Sequence, residues 1–110
     1  MSKVHLFGFG FETPEECEIN QRTGTDFETA KFFKIVAESE DEAMEWGRVL
    51  ARWFVNKLFD EPGDHWAPEN FAHWIEHSPD EHLLKFVGTL PLIAEGEYPE
   101  FEEVRELFKC

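Results

Sequence analysis

Residues Ser39 to Phe59, with the sequence S-E-D-E-A-M-E-W-G-R-V-L-A-R-W-F-V-N-K-L-F, decide the fold of this chain. Apolar residues recur in this stretch every three or four positions, which is the period of one face of a helix. Ser39 is a favourable N-cap, and Glu42, three residues later, can complete a capping box. Acidic residues crowd the start and basic residues follow, as the helix dipole favours. The stretch therefore predicts one long helix.

The apolar surface of this helix is wider than packing against a sheet requires. Its central stripe is formed by Ala43, Gly47, Leu50, Phe54 and Leu58. The stripe is widened by Trp46, Val49 and Trp53 on one side and by Met44, Ala51 and Val55 on the other. Such an arc predicts cover from a second direction, either by the following segment of the chain or by a second subunit. Gly47 lowers helix propensity by about 1 kcal/mol relative to Ala, which indicates close approach of a strand.

Two strands are predicted before the helix. Val4 to Phe11 alternates with a period of two, and Gly8 and Gly10 leave one face bare for a helix or a neighbouring backbone. Phe27 to Glu38 is rich in aromatic and β-branched residues and should pair antiparallel with the first strand. The polar segment between them, Thr13 to Asp26, is predicted to be a long loop and a candidate contact surface.

The segments after the helix complete the sheet. Asn70 to Glu76 is interpreted as a strand because a crossover back to the sheet is economical, although Pro68 could instead open a helix. Ser78 to Gly88 is predicted to be a short helix and Thr89 to Glu95 an edge strand. Pro99 opens a terminal helix.

The predicted fold class is therefore α+β. It has a small mixed or antiparallel sheet, in the order ββαβ followed by a short helix, an edge strand and a terminal helix. The long helix packs on one face of the sheet. With 110 residues the chain is predicted to form a single domain, residues 1–110.

Charge is the most distinctive property of the composition, with 24 acidic residues against 10 basic ones and a net charge of −14. Such a field repels nucleic acids and anionic membranes and attracts basic partners. No apolar run approaches the roughly 20 residues of a membrane span, and the N-terminus lacks the pattern of a secretory signal. Two cysteines do not make a disulfide framework. We expect a cytoplasmic protein that binds neither nucleic acid nor membrane and needs no cofactor.

One short motif suggests chemistry. His73-Trp74-Ile75-Glu76-His77 matches H-x-x-E-H, in which two histidines bind zinc and the glutamate activates water. On a helix the two histidines share a face, but on a strand Glu76 points away from both. A metal-binding protein or metal-dependent hydrolase using His73, Glu76 and His77 is the alternative function. A reactive thiol is not expected, because Glu16 and Glu18 beside Cys17 would raise its pKa.

The leading hypothesis is a non-enzymatic, acidic protein-interaction module that binds a basic partner, as an inhibitor or an immunity-type protein does. The candidate contact residues are clustered acids and aromatic residues outside the long helix: Glu12, Glu15, Glu16, Glu18, Glu102, Glu106, Trp66, Trp74 and Tyr98. Self-association through the wide apolar arc of the long helix is a third possibility.

Overall fold

Four strands form one mixed sheet in the computed structural model, which describes residues 2–109. They are β1 (Lys3–Phe11), β2 (Thr29–Ala37), β3 (His73–Glu76) and β4 (Leu92–Ala94). The strand order is β3-β1-β2-β4. β1 is antiparallel to both β2 and β3, and β4 is parallel to β2. The predicted α+β class, the antiparallel β1–β2 pair and the edge strand are confirmed.

Four helices accompany the sheet: α1 (Pro14–Thr23), α2 (Glu40–Phe59), α3 (Glu81–Gly88) and α4 (Phe101–Phe108). The predicted long helix is α2, and its N-cap is Ser39, whose hydroxyl accepts a hydrogen bond from the Glu42 backbone N–H at 3.2 Å. No helix within residues 2–109 is long and apolar enough to cross a membrane.

The core lies on one face of the sheet. The alternation of β1 places Phe7, Phe9 and Phe11 on this face, where all three are buried. The ring of Phe9 stacks on Phe33 of β2 with centroids 5.2 Å apart. α2 packs across these rings, and Phe108 of α4 closes the core against them. Large aromatic rings in contact explain how a short chain buries enough apolar surface to fold.

The segment between β1 and β2 corrects the prediction of a long loop, because it contains α1. Thr13 and Glu16 form a complete capping box, with side chain to backbone distances of 3.0 and 3.1 Å. Pro14 opens the helix, and Gly24 ends it in the left-handed conformation with φ of 71°. Asn20 is the one buried residue among those of α1. Because the inner face of α1 is polar, the sequence shows no apolar period there.

Several boundaries also differ from the prediction. β2 begins at Thr29 rather than Phe27, because the Asn20 side chain binds both the N–H and the C=O of Phe27. β3 is confirmed as a strand but begins at His73, not Asn70. The N-cap of α3 is Asp80, two residues after the predicted cap.

The wide apolar arc of α2 is covered by the following segment of the same chain. The Trp46 indole N–H donates to the Glu97 carbonyl at 2.9 Å. The Tyr98 ring lies 5.2 Å from Trp46 and 5.3 Å from Trp53, centroid to centroid. The chain itself thus supplies part of the predicted cover, while Val49 of the arc remains 41% exposed. Self-association through this arc stays a prediction.

Alternate residues of the four strands point to the face of the sheet that lies away from α2. We call it the open face; its residues are Val4, Leu6, Gly8, Phe32, Lys34, Val36, Trp74, Glu76 and Leu92. The sequence suggested that a helix or a neighbouring backbone approaches Gly8, but side chains occupy that space. The side chains of Phe32 and Trp74 close over it instead, and a Cβ at Gly8 would overlap both rings. Val4 and Leu92 remain 51% and 60% exposed.

Candidate functional site

His73 is fully engaged in hydrogen bonds within the fold. Its Nε2 accepts from the Arg48 guanidinium Nε at 3.0 Å, and its Nδ1 donates to the Phe71 carbonyl at 3.1 Å. Since an arginine only donates and a carbonyl only accepts, these partners define a neutral ring with its hydrogen on Nδ1. Neither nitrogen offers a lone pair to a metal ion.

The remaining residues of the H-x-x-E-H motif do not converge on His73. In β3, His73 and Ile75 face α2, whereas Trp74 and Glu76 face the open side. His77 follows the strand and hydrogen bonds to the Glu40 carboxylate at the start of α2. Within residues 2–109, no group of three or more His, Cys, Asp or Glu side chains is arranged to hold a metal ion. The motif therefore does not form the predicted metal site.

Cys17 and His65 line one groove beside Glu12 and Asp64, which invites comparison with a thiol nucleophile and its base. Burial raises the pKa of the Cys17 thiol, and the negative charges of Glu12 and Glu61 raise it further. The direction agrees with the prediction, although the neighbours responsible differ from Glu16 and Glu18. His65 Nε2 lies 3.3 Å from the Glu61 carbonyl. The thiol is therefore not activated.

Glu12 and Glu16, two of the acidic residues predicted as contact residues, form hydrogen bonds within the fold. Glu16 completes the α1 capping box and accepts a hydrogen bond from the Thr29 hydroxyl at 2.9 Å. Glu12 accepts from the amide of Asn20. Glu15 and Glu18 are exposed, and Glu18 lies 3.7 Å from Arg22. Only Glu15 and Glu18 of these four acidic residues are therefore exposed, and Glu18 is accompanied by Arg22.

Asn20 organises this region, and the sequence analysis missed it. Its Oδ1 accepts from the Thr25 hydroxyl and the Phe27 N–H, and its Nδ2 donates to Glu12 and to the Phe27 carbonyl. Nearby, the pKa of Glu28 is raised by burial and by the charges of Asp26, Glu12 and Glu16. A lone Asn in a polar segment gives no sequence signal of such a role.

A second concentration of charge forms at the start of α2. We define the α2 acidic patch as Glu38, Glu42, Glu45 and Glu95. A side-chain hydrogen bond with Glu42 raises the pKa of Glu95, and burial and the charges of Glu42, Glu45 and Glu38 raise it further. Glu95 reaches the patch because its N–H donates to the Val36 carbonyl at 3.0 Å, directly after β4. Glu95 lies far from Glu38, Glu42 and Glu45 in the sequence, and the parallel pairing of β4 with β2 brings it to them.

The acidic residues of α4 are less concentrated. Glu102 pairs with Arg105 at 2.6 Å, and Glu106 pairs with Lys109 at 3.1 Å. Both carboxylates are more than half exposed. Each is accompanied by a cation one helical turn away, so this helix offers a weaker field than the α2 acidic patch.

The three aromatic candidates have different surroundings. Trp66 is 1% exposed, and its indole N–H donates to the Gly10 carbonyl at 2.9 Å. Burial removes Trp66 from the candidate contact surface, which corrects the prediction. Trp74 is half-buried on the open face, and Tyr98 is 53% exposed beside Trp46.

Tyr98 also borders a groove of about 320 Å³ on the outer side of α2, which is lined by Arg48, Val49, Arg52, Trp53, Pro68 and Tyr98.

No protein-family model matches the chain, and no match was found among curated proteins or solved structures.

Proposed function

We propose that this protein is a non-enzymatic interaction domain that binds a basic protein partner through the α2 acidic patch. The observation that carries the proposal is the gathering of Glu38, Glu42, Glu45 and Glu95 at the start of α2, where the Glu42 and Glu95 side chains share a hydrogen bond. Four carboxylates are held so close that Glu95 retains its proton more readily than an isolated glutamate. A lysine or arginine of a partner would be stabilised by the same field.

The surroundings of the patch fit a protein partner. Trp46 lies one helical turn after Glu42, and Tyr98 packs on its ring with half of its own surface exposed. Aromatic side chains beside a charged surface often dominate interface energies because they bury much area with little loss of conformational freedom. The net charge of −14 would also accelerate the approach of a basic protein.

Affinity capture from the extract of the organism that encodes the protein tests this proposal. The bait is compared with the double variant E42Q/E95Q and with the control E102Q/E106Q, which loses the same charge from α4. We expect a basic protein to be retained by the wild-type and control baits at about 50 mM salt and released at about 500 mM. The α2 variant should retain much less of it.

Two results would contradict the proposal. Equal loss from both variants would show that only net charge matters and that the patch does not form a defined contact. Retention that is insensitive to salt would remove the electrostatic basis altogether.

A further inference from the structure

The groove on the outer side of α2 brings two cations together in a chain that is otherwise strongly acidic. Arg48 and Arg52 are one helical turn apart, so their side chains are neighbours on the helix surface. Among the described residues that line the groove, these two alone are charged; the others are Val49, Trp53, Pro68 and Tyr98. The groove thus differs in sign from the net charge of −14.

Both guanidinium groups are held through their Nε atoms. Nε of Arg48 donates to the His73 ring at 3.0 Å, and Nε of Arg52 donates to the Trp66 carbonyl at 3.4 Å. The Asp64 carboxylate lies 3.9 Å from Arg52 in an exposed pair, which contributes little in water. The terminal Nη atoms of both arginines donate no hydrogen bond to another residue that the structure describes. Their donors are therefore oriented and unused before any ligand binds.

The walls of the groove suit an apolar group. Val49 is accessible beside the aromatic residues, and the Tyr98 ring lies 5.3 Å from Trp53, centroid to centroid. The volume of about 320 Å³ is near the lower limit of small-molecule sites, which are about 300–1,000 Å³. Such sites combine apolar and aromatic walls with a few placed polar groups. A ligand that fits has a small apolar body and one anionic group.

We propose that this groove binds a small organic carboxylate. The carboxylate accepts hydrogen bonds from the terminal nitrogens of Arg48 and Arg52, and the apolar body packs against Trp53 and Tyr98. Guanidinium groups recognise carboxylates and phosphates alike. The net charge of −14 distinguishes the two, because it repels a phosphate dianion more strongly than a carboxylate monoanion.

An NMR titration of the full ¹⁵N-labelled chain with 3-phenylpropionate, in about 0.15 M salt, tests the proposal. We expect a dissociation constant of about 1 mM, with shifts of the side-chain N–H signals of Arg48, Arg52 and Trp53. The neutral 3-phenylpropionamide should bind at least about tenfold more weakly, because it lacks the charge-assisted hydrogen bonds. Acetate should also bind at least about tenfold more weakly, because it has no apolar body to bury.

Two arginine variants separate a local contact from a change in net charge. R52Q should weaken the binding of 3-phenylpropionate about tenfold, since it removes one guanidinium group from the groove. R22Q is the matched control, because it removes the same group from an exposed position on α1. It should change the dissociation constant by less than about twofold. Circular dichroism and thermal melting establish that both variants are folded.

Several results would overturn the proposal. They are no saturable shift up to about 10 mM carboxylate, equal binding of the amide, equal losses in R52Q and R22Q, or shifts confined to residues outside the groove. Tighter binding of phenyl phosphate than of 3-phenylpropionate would contradict the assignment of a monoanion. No residue of the α2 acidic patch lines the groove. E42Q/E95Q should therefore bind the carboxylate at least as well as the wild type, so this proposal and that of a basic partner fail separately.

Discussion

Gly47 of α2 lies directly against the ring of Phe7 on β1, and a Cβ at position 47 would overlap three carbon atoms of that ring. This contact sets the closest approach of the long helix to the sheet. It also accounts for a glycine in the middle of a helix, where an alanine would improve helix propensity by about 1 kcal/mol.

The variant G47A should therefore be destabilised by about 1–3 kcal/mol, because moving the helix or the Phe7 ring costs more than the gain in propensity. Urea denaturation monitored by tryptophan fluorescence measures the change. G88A is the matched control, since nothing lies within 4 Å of a Cβ at that helical position. A G47A protein as stable as the wild type would mean that the helix does not lie this close to the strand.

β3 begins at His73, opposite Phe9, and the next residue of β1 is Gly10. The Trp66 indole N–H donates a hydrogen bond to the Gly10 carbonyl. Trp66→Phe removes this donor and leaves the carbonyl without that partner, which should cost about 1–3 kcal/mol in the free energy of unfolding. Trp53→Phe is the control, because Trp53 packs on Tyr98 and Phe101 through ring contacts alone. Equal, small losses in both variants would show that the hydrogen bond contributes little.

The sequence predicted the elements whose apolar residues follow a regular period. β1, β2 and α2 each bury one face, so alternation or helical spacing reveals them. α1 was not predicted, because its only buried residue is an asparagine. Its capping box and its terminal glycine were nevertheless visible in the sequence. A helix of this kind can be predicted only from its capping residues, because it has no apolar stripe.

The candidate sites were less predictable, because they depend on contacts between distant segments. Glu95 joins Glu42 through the pairing of β4 with β2, and Trp66 is buried by contacts with residues that lie far away in the sequence. Spacing within a segment cannot reveal either relationship. The separation of His73 from Glu76 was predictable, since it follows from the two-residue period of a strand.

Asn20 provides a test of the polar interior of α1. Asn20→Asp removes two donated hydrogen bonds and introduces a carboxylate beside Glu12. We expect a loss of about 2–4 kcal/mol in the free energy of unfolding at neutral pH. Gln21→Glu is the charge-matched control, because Gln21 is exposed on the same helix. If both variants lost the same stability, net charge rather than the hydrogen bonds of Asn20 would be responsible.

The raised pKa of Glu95 predicts a specific dependence of stability on pH. Because this carboxyl binds a proton more readily in the folded chain than in the unfolded one, it favours folding at low pH. That contribution is lost as the pH rises through the folded-state pKa. Glu95→Gln should therefore be more stable than the wild type at pH 7, and the difference should disappear below about pH 4.

Thermal melting of both proteins between these pH values measures the effect. Glu69→Gln is the control, since it removes one exposed carboxylate at a distance in the sequence from the α2 acidic patch. Identical pH profiles for the two variants would show that the gain comes from net charge alone.

Cys17 should be an unreactive thiol, because burial and the charges of Glu12 and Glu61 raise its pKa. In a Cys110→Ser background, alkylation by iodoacetamide at pH 7.5 should be slower than that of free cysteine, because the thiolate is the nucleophile and a raised pKa leaves less of it. Glu61→Gln should accelerate the reaction at low ionic strength, and less so in high salt, because the removed charge is exposed and screened. Glu69→Gln should leave the rate unchanged. A wild-type rate equal to that of free cysteine would mean that the negative groove around the thiol does not exist in solution.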